Sequence, residues 1–401
     1  MHIALISILT PASENIRGTS ALPYHILLHR DRSIDVTLYS YNFNELSEDK
    51  ITAVSKELKV TINILPKPWW LVWMFRMHLL ILRLVIPYPI HSYIRIKRLQ
   101  VQAIKDIRPD GIWVYGEELY RVVKQFEGYK RIHTLPDCES LYYYRMLGKH
   151  FVTSSISFYY RIAFMYSKFL RMERNFPTDS TVVHHLVGEE DAKHLKEQNP
   201  LTNVVFVRHP HYETKEVKED TVHFHQPKIK LLIAGQNNIY MRQTADELFE
   251  ELKNCRIEEL KNSYTFTFLG KGWERHVEML REAGYEVHYI TFAPNYIEEI
   301  CKHDIQITPI AIGTGTKGKV LDALANGLLV IGTPYAIENI AVRHEESCIE
   351  YRQPKELIEV LMDIPKNILK YEKIAEEGRR QVLTLHSRSV ISKQLFDLFE
   401  K

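Results

Sequence analysis

The residues best suited to chemistry lie between Ile305 and Pro334, where the chain reads IQITPIAIGTGTKGKVLDALANGLLVIGTP. Gly313, Gly315 and Gly318 are expected to take backbone conformations closed to other residues. Thr314 and Thr316 offer hydroxyls, and Lys317 and Lys319 add positive charge. Val320, Leu321, Leu324 and Ala325 form the apolar stripe of a following helix, with Gly327 as its left-handed cap. Amide N–H groups and the dipole of that helix favour an anion at the loop, and a lysine reinforces them. Asp322 is expected in the first helical turn, where its carboxylate can accept hydrogen bonds from two adjacent hydroxyls, as on a ribose. Phosphate plus diol is the signature of a nucleotide. The segment lacks the GxxxxGK[ST] spacing of a Walker A loop, and it comes late in its half of the chain, unlike a Rossmann fingerprint.

A second set of titratable groups follows predicted strands in the first half. Asp137 lies in HTLPDCESLYYYR, and Glu117 and Glu118 follow the apolar run Gly111–Tyr115. The carboxyl ends of parallel strands are where such folds bind ligands. Asp137 also fits a helix cap. Arg208-His209-Pro210 reads either as a phosphate contact or as a packing turn between domains. His184/His185, His209/His211 and His223/His225 lack a carboxylate or cysteine at metal spacing, so they are expected to be exposed and no metal site is expected.

The elements that must hold these groups alternate between strand and helix. His2–Ile8, Asp35–Tyr39, Val60–Leu65, Gly111–Tyr115, Arg131–Leu135 and Ser180–His184 read as strands. The intervening stretches, such as Ile94–Ile107, carry apolar residues at helical spacing. The pattern restarts with Lys230–Ala234, Ser263–Leu269, Glu286–Ile290, Ile305–Pro309 and Leu328–Thr333. Alternation of this kind predicts right-handed crossovers and doubly wound parallel sheets. The expected architecture is therefore α/β, with two Rossmann-like domains facing across a cleft. Residues 1–211 form the first domain and 212–385 the second, with polar Tyr212–Gln226 as linker. A closing helix over 386–401 packs back on the first domain, with Val390, Ile391, Leu395, Leu398 and Phe399 on one side.

With 401 residues, 45% hydrophobic and 25% charged, the chain can build cores of ordinary size. A formal net charge of +2 argues against a nucleic-acid partner. Four dispersed cysteines suit a reducing cytosol rather than a disulfide framework or zinc site. The apolar N-terminus lacks a basic region and reads as a first strand rather than a signal peptide.

The run from Gly313 to Gly327 resembles the donor-site motif of GT-B glycosyltransferases, especially those similar to family 4, usually written G-[ST]-G-[ST]-K-x-K-[VI]-L-E-A-[ML]-A-x-G. The resemblance is best over 228–340. It includes Leu231–Gly235 and Phe266–Gly272 with their loop glycines Gly235 and Gly270, Ala336–Ile340, and Glu377-Gly378-Arg379. It implies a glycosyltransferase moving a hexose or related sugar from a nucleoside diphosphate donor, without a cofactor or metal and with retention of configuration. Lys317 would neutralise the diphosphate, Lys319 would assist, and Asp322 would hold the ribose. Gly18 and Thr19, in Asn15–Thr19, stand where the family places its first acceptor-side loop. Two positions depart from the pattern: Thr314 where many members carry Glu, and Asp322 where Glu is usual. An inverting route would need a base, for which Asp137 is the first candidate and Glu117 the next. A nucleotide-sugar epimerase and a non-catalytic partner of the same fold are the alternatives.

Trp69–Ile86 is apolar and aromatic, but Arg76 and Arg83 interrupt it, which argues against a membrane span. It fits either a core helix or an interfacial one, the latter aided by the basic stretch Arg95–Arg98. In the interfacial case the enzyme would sit on the inner face of the plasma membrane, with a lipid-linked acceptor in surface polysaccharide or glycoconjugate synthesis.

Overall fold

The computed structural model describes residues 1–13, 19–78, 85–149, 156–215, 221–255 and 257–400. They form two compact units, Met1–Pro210 with Arg388–Lys401, and His211–Ser387.

In the first unit, strands β1 (His2–Ser7), β2 (Asp35–Ser40), β3 (Thr61–Ile64), β4 (Gly111–Tyr115), β5 (Lys130–Leu135), β6 (Val182–Leu186) and β7 (Val204–Phe206) pair in the order β3-β2-β1-β4-β5-β6-β7. Every pairing is parallel. Parallel strands need crossover segments that cover both faces, so central strands are apolar throughout. In β1, Ile3 and Leu5 pack on one face with Leu38 and Trp113, while Ala4 and Ile6 pack on the other with Ile112 and Val114.

The second unit repeats the scheme with β8 (Ile229–Ala234), β9 (Tyr264–Leu269), β10 (Glu286–Ile290), β11 (Ile305–Thr308), β12 (Leu329–Gly332) and β13 (Ile349–Glu350), in the order β10-β9-β8-β11-β12-β13. In both sheets the winding reverses beside the first strand, at β1/β4 and at β8/β11. That reversal opens a crevice at the carboxyl edge, where open α/β sheets bind ligands. The chain is thus α/β with two Rossmann-like parallel sheets.

Several expectations change. β6 starts two residues later than Ser180. β7 and β13 are short edge strands, with too few residues to show an alternating pattern. Helix begins at Arg98 rather than Ile94, which is buried in extended backbone. The closing helix runs Arg388–Phe396 and tightens into a 3₁₀ turn over Asp397–Phe399. Val390 is 44% exposed, while Ile391, Leu395, Phe396 and Phe399 are buried.

The expected linker is partly docked. Phe224 is buried, the Val222 and Phe224 amides donate to Glu376 and Glu372, and the His225 amide donates to Asp304. His184, His185, His209 and His211 are buried rather than exposed, the first two because β6 is an interior strand. Burial pushes His184, His185 and His209 down to about 4 and keeps them neutral. His223 and His225 keep exposed side chains.

Candidate functional site

In the second unit, the loops at the sheet reversal converge. Gly235 closes β8 at φ +131° and Gly270 closes β9 at φ +135°. A Cβ on Gly270 would stand 2.2 Å from the Gly235 carbonyl oxygen, so only glycine allows the two turns to touch. The Trp273 indole donates to that same carbonyl at 2.7 Å. The loop after β8 is tied to the loop after β11 by the Ala311 amide, which donates to Tyr240 O at 2.6 Å.

The loop after β11 delivers the glycine-rich segment to the helix Gly318–Ala325. Of its three glycines only Gly315 has a left-handed backbone, at φ +62°. Gly313 and Gly318 have ordinary backbones, contrary to expectation. At Gly313 the demand is for space, since a Cβ there would meet Lys317 Cε at 2.9 Å. Gly327 is left-handed at φ +84°, as a helix end requires. Lys317 precedes the helix, and its ammonium donates to Thr314 O at 2.7 Å and Gly315 O at 3.1 Å. The Asn339 side chain also donates to Gly315 O, at 2.9 Å. The charge is thereby folded over its own loop, beside the first N–H groups of a helix, which have no acceptor within it. Thr314 and Thr316 lie in the same loop, half-buried.

Asp322 is the fifth residue of the helix and so sits in its second turn, not its first. It is buried, and Oδ1 has no hydrogen-bond partner among the described residues. Burial, then repulsion by Glu213, pushes its pKa up to about 7, while the Tyr212 amide and Lys319 pull the other way. Lys319 lies over the Tyr296 ring at 5.4 Å and approaches Gly235. Dehydration by these surroundings lowers its pKa, opposed by Asp322. The unit therefore brings together Gly235, Gly270, the 313–317 loop, Lys319 and Asp322. A buried carboxylate oxygen lacking a donor calls for a ligand hydroxyl. The loop beside it calls for an anion.

The sheet reversal of the first unit holds a cavity of about 330 Å³ lined by Thr19, Phe43, His91, Glu117, Asp137 and Glu139, among others. The expected acceptor-side residues Thr19 and Glu117 and the candidate base Asp137 therefore share one cavity. Gly18 lies outside the described residues. The Tyr115 hydroxyl donates to Thr19 O at 2.7 Å and fixes the end of that loop. Phe43, His91, Glu139 and the buried Glu173 were missed in the sequence. Glu139 stood visible two residues beyond Asp137. Glu173 carried no local signal, because it reaches the cavity wall from the far end of the helix Ile156–Glu173. Burial, then repulsion by Asp137, pushes Glu139 up to about 8. Arg208 lies over its neighbour Phe206 at 5.2 Å, and His209 bonds to Pro210 O at 2.7 Å.

Residues 228–367 match the family described as Glycosyl transferases group 1. No curated protein sequence matches the chain. Among solved structures, HepE of Anabaena in complex with UDP is similar at 12% identity and a TM-score of 0.62, with all of both chains covered. Sucrose-phosphate synthase from Thermosynechococcus elongatus is similar at 12% identity and a TM-score of 0.62, covering 100% of this chain and 98% of that one. WaaG, a glycosyltransferase involved in lipopolysaccharide biosynthesis, is similar at 13% identity and a TM-score of 0.59, with 99% of both chains covered.

Proposed function

We propose that this GT-B glycosyltransferase moves a sugar from a UDP- or GDP-linked donor to a hydroxyl of a carbohydrate or lipid-linked acceptor, with retention of configuration. The observation that carries the reading is the pairing of the glycine-rich loop with the buried, unpartnered Asp322 Oδ1 in the helix behind it. Phosphate suits the loop and a ribose hydroxyl suits the carboxylate. Lys317 and the loop amides stabilise the leaving diphosphate electrostatically, with Lys319 assisting, so no metal is assigned to that role. UDP in the HepE structure supports a uridine donor for this chain. Thermal shift against UDP-, GDP-, ADP- and CMP-sugars tests the reading, because a ligand of the native state raises Tm. A shift with a UDP- or GDP-sugar, followed by transfer to an acceptor, is expected. Interconversion of the free nucleotide sugar would indicate an epimerase, and absence of any shift would favour a non-catalytic partner.

The acceptor belongs, in this reading, to cell-surface polysaccharide or glycoconjugate synthesis at the cytoplasmic face of the membrane. No helix among the described residues is long and apolar enough to cross a membrane. The helix Trp69–Arg76 buries Leu71 but leaves Trp69 76%, Trp73 50% and Phe75 40% exposed. Residues 79–84 of the aromatic stretch lie outside the described residues. Exposed tryptophans beside Arg76 and the basic Arg95–Arg98 stretch suit peripheral contact with anionic lipid. Flotation with phosphatidylglycerol vesicles at low salt is expected to carry the protein, and Trp69→Ala with Trp73→Ala to abolish it. Failure of the wild type to float removes the membrane contact.

A further inference from the structure

The cavity of the first unit contains a carboxyl pair with asymmetric surroundings. Glu117 is 4% exposed and lines the cavity, and its carboxyl bonds to that of Glu173. Glu173 is fully buried. Its Oε1 accepts the Ser140 amide at 2.9 Å and lies 3.6 Å from the Cys138 thiol, and its Oε2 accepts the Ser140 hydroxyl. Ser140 is the second residue of the helix Glu139–Gly148, so Glu173 stands at a helix N-terminus, where negative charge is favoured. Glu117 has no such support. Among the described residues no donor is bonded to its Oε1, and Glu118, Glu139 and Glu173 all oppose a charge on it.

Two adjoining carboxyls in one buried site do not both ionise. The charge belongs on Glu173, which has the donors, and the proton on Glu117, whose Oε1 has none among the described residues. A protonated Glu117 spends its O–H on Glu173 and leaves its other oxygen as a carbonyl-type acceptor. That oxygen can only accept, so the matching ligand group is a donor.

We infer that Glu117 serves in the cavity as a neutral carboxylic acid, held so by Glu173, and that it recognises a hydroxyl of the acceptor by accepting a hydrogen bond from it. Glu173 is a positioning residue that acts through Glu117. The assignment takes Glu117 out of contention as a proton-accepting base. It rests on the transfer reading only in calling the ligand an acceptor.

Infrared spectroscopy of the full chain at pH 7 tests the inference without turnover. In the wild-type minus Glu117→Gln difference spectrum, where the protonated carboxyls of Glu139 and Asp322 cancel, a carbonyl stretch from Glu117 is expected, and Glu173→Gln displaces it. Absence of that difference band overturns the assignment. Methyl α-glucoside, galactoside and mannoside serve as hydroxyl probes. A shift of the band with at least one is expected, and no shift with any overturns the docking role. The side-chain amide introduced by Glu117→Gln can donate its N–H to Glu173 and keep its oxygen as an acceptor. Transfer by Glu117→Gln should therefore stay within about tenfold of wild type, whereas loss of a true base costs about 10²–10⁴-fold. A nucleotide-sugar thermal shift on the same samples separates the two readings, since donor binding can persist when this inference fails.

Discussion

In the proposed reading, Lys317 and Asp322 divide the electrostatics of the glycine-rich loop and its helix, one by charge and the other by an unfilled acceptor. Lys317 is held on two carbonyls of its own loop, so its charge is placed before any ligand arrives. Preorganised charge is worth most where it meets a developing anion, and Lys317→Ala should lower donor turnover by about 10²–10³-fold. Unchanged kcat/KM would remove Lys317 from that role. Asp322→Asn should weaken donor binding more than it slows turnover, and a selective fall in kcat would count against a ribose contact. The same residue predicts a pH effect. Its folded pKa of about 7 exceeds the ordinary 3.8, so between those values the folded chain keeps a proton that the unfolded chain has released. Its contribution to stability is present below about pH 4 and is lost as pH rises toward 7. Asp322→Asn should flatten this part of the Tm–pH profile, and an unaltered slope would show that the carboxyl ionises freely. At this scale the sequence was informative but imprecise. Residue types over 313–322 carried the expectation of a glycine-rich loop running into a helix, and the chain folds so. The second-turn position of Asp322 and the inward fold of Lys317 depend on backbone geometry that composition does not carry.

The turns after β8 and β9 show what an element requires of single residues. Gly235 and Gly270 both have left-handed backbones, but only Gly270 also faces a neighbouring backbone at 2.2 Å. Gly270→Ala should therefore cost about 3 kcal/mol or more, from strain plus displacement of the Gly235 turn. Gly235→Ala meets the Met241 sulfur at 3.3 Å and, in ordinary contact, Lys319 Nζ at 3.9 Å, and should cost the strain alone, about 1–3 kcal/mol. Urea denaturation of the two variants checks the order, and equal losses would mean that the close approach is not maintained in solution. Strands β4 and β10 were legible to the residue, β4 as a short apolar run and β10 as β-branched and aromatic residues alternating with polar ones. β7 and β13 were not, because two or three residues carry no period. The helix at Arg98 starts late because Ile94 and Ile96 are buried without being helical, which hydrophobic spacing cannot distinguish.

Over the whole molecule, the last fourteen residues belong to the first unit although the chain reaches them from the second. Ile391, Leu395, Phe396 and Phe399 are buried there, Phe396 lies edge-on to Trp113, and Ser392 Oγ donates to Ile26 O at 2.8 Å. Phe399 also fills the space over Gly111, where a Cβ would stand 2.4 Å from its ring. Burying four such side chains contributes roughly 6–12 kcal/mol, comparable with the entire stability of a domain. Deletion of residues 388–401 should therefore unfold the first unit while the second keeps its own transition. Calorimetry distinguishes this from a small uniform fall in Tm, which would mean that the segment only decorates the surface.

The sequence by itself determined the two parallel α/β sheets, because strand–helix alternation with apolar strands leaves few other ways to cover both faces. It also determined the glycine-rich turn into the helix Gly318–Ala325, since the glycines and the apolar stripe behind them carry their backbone preferences locally. Only the tertiary structure decided which groups oppose one another. Glu117 and Glu173 are 56 residues apart in the chain, yet among the described residues the Oε1 of one lacks donors and the other takes them from a helix end. Which of two carboxyls holds a proton depends on the donors and charges within a few ångströms, and folding places these from distant segments.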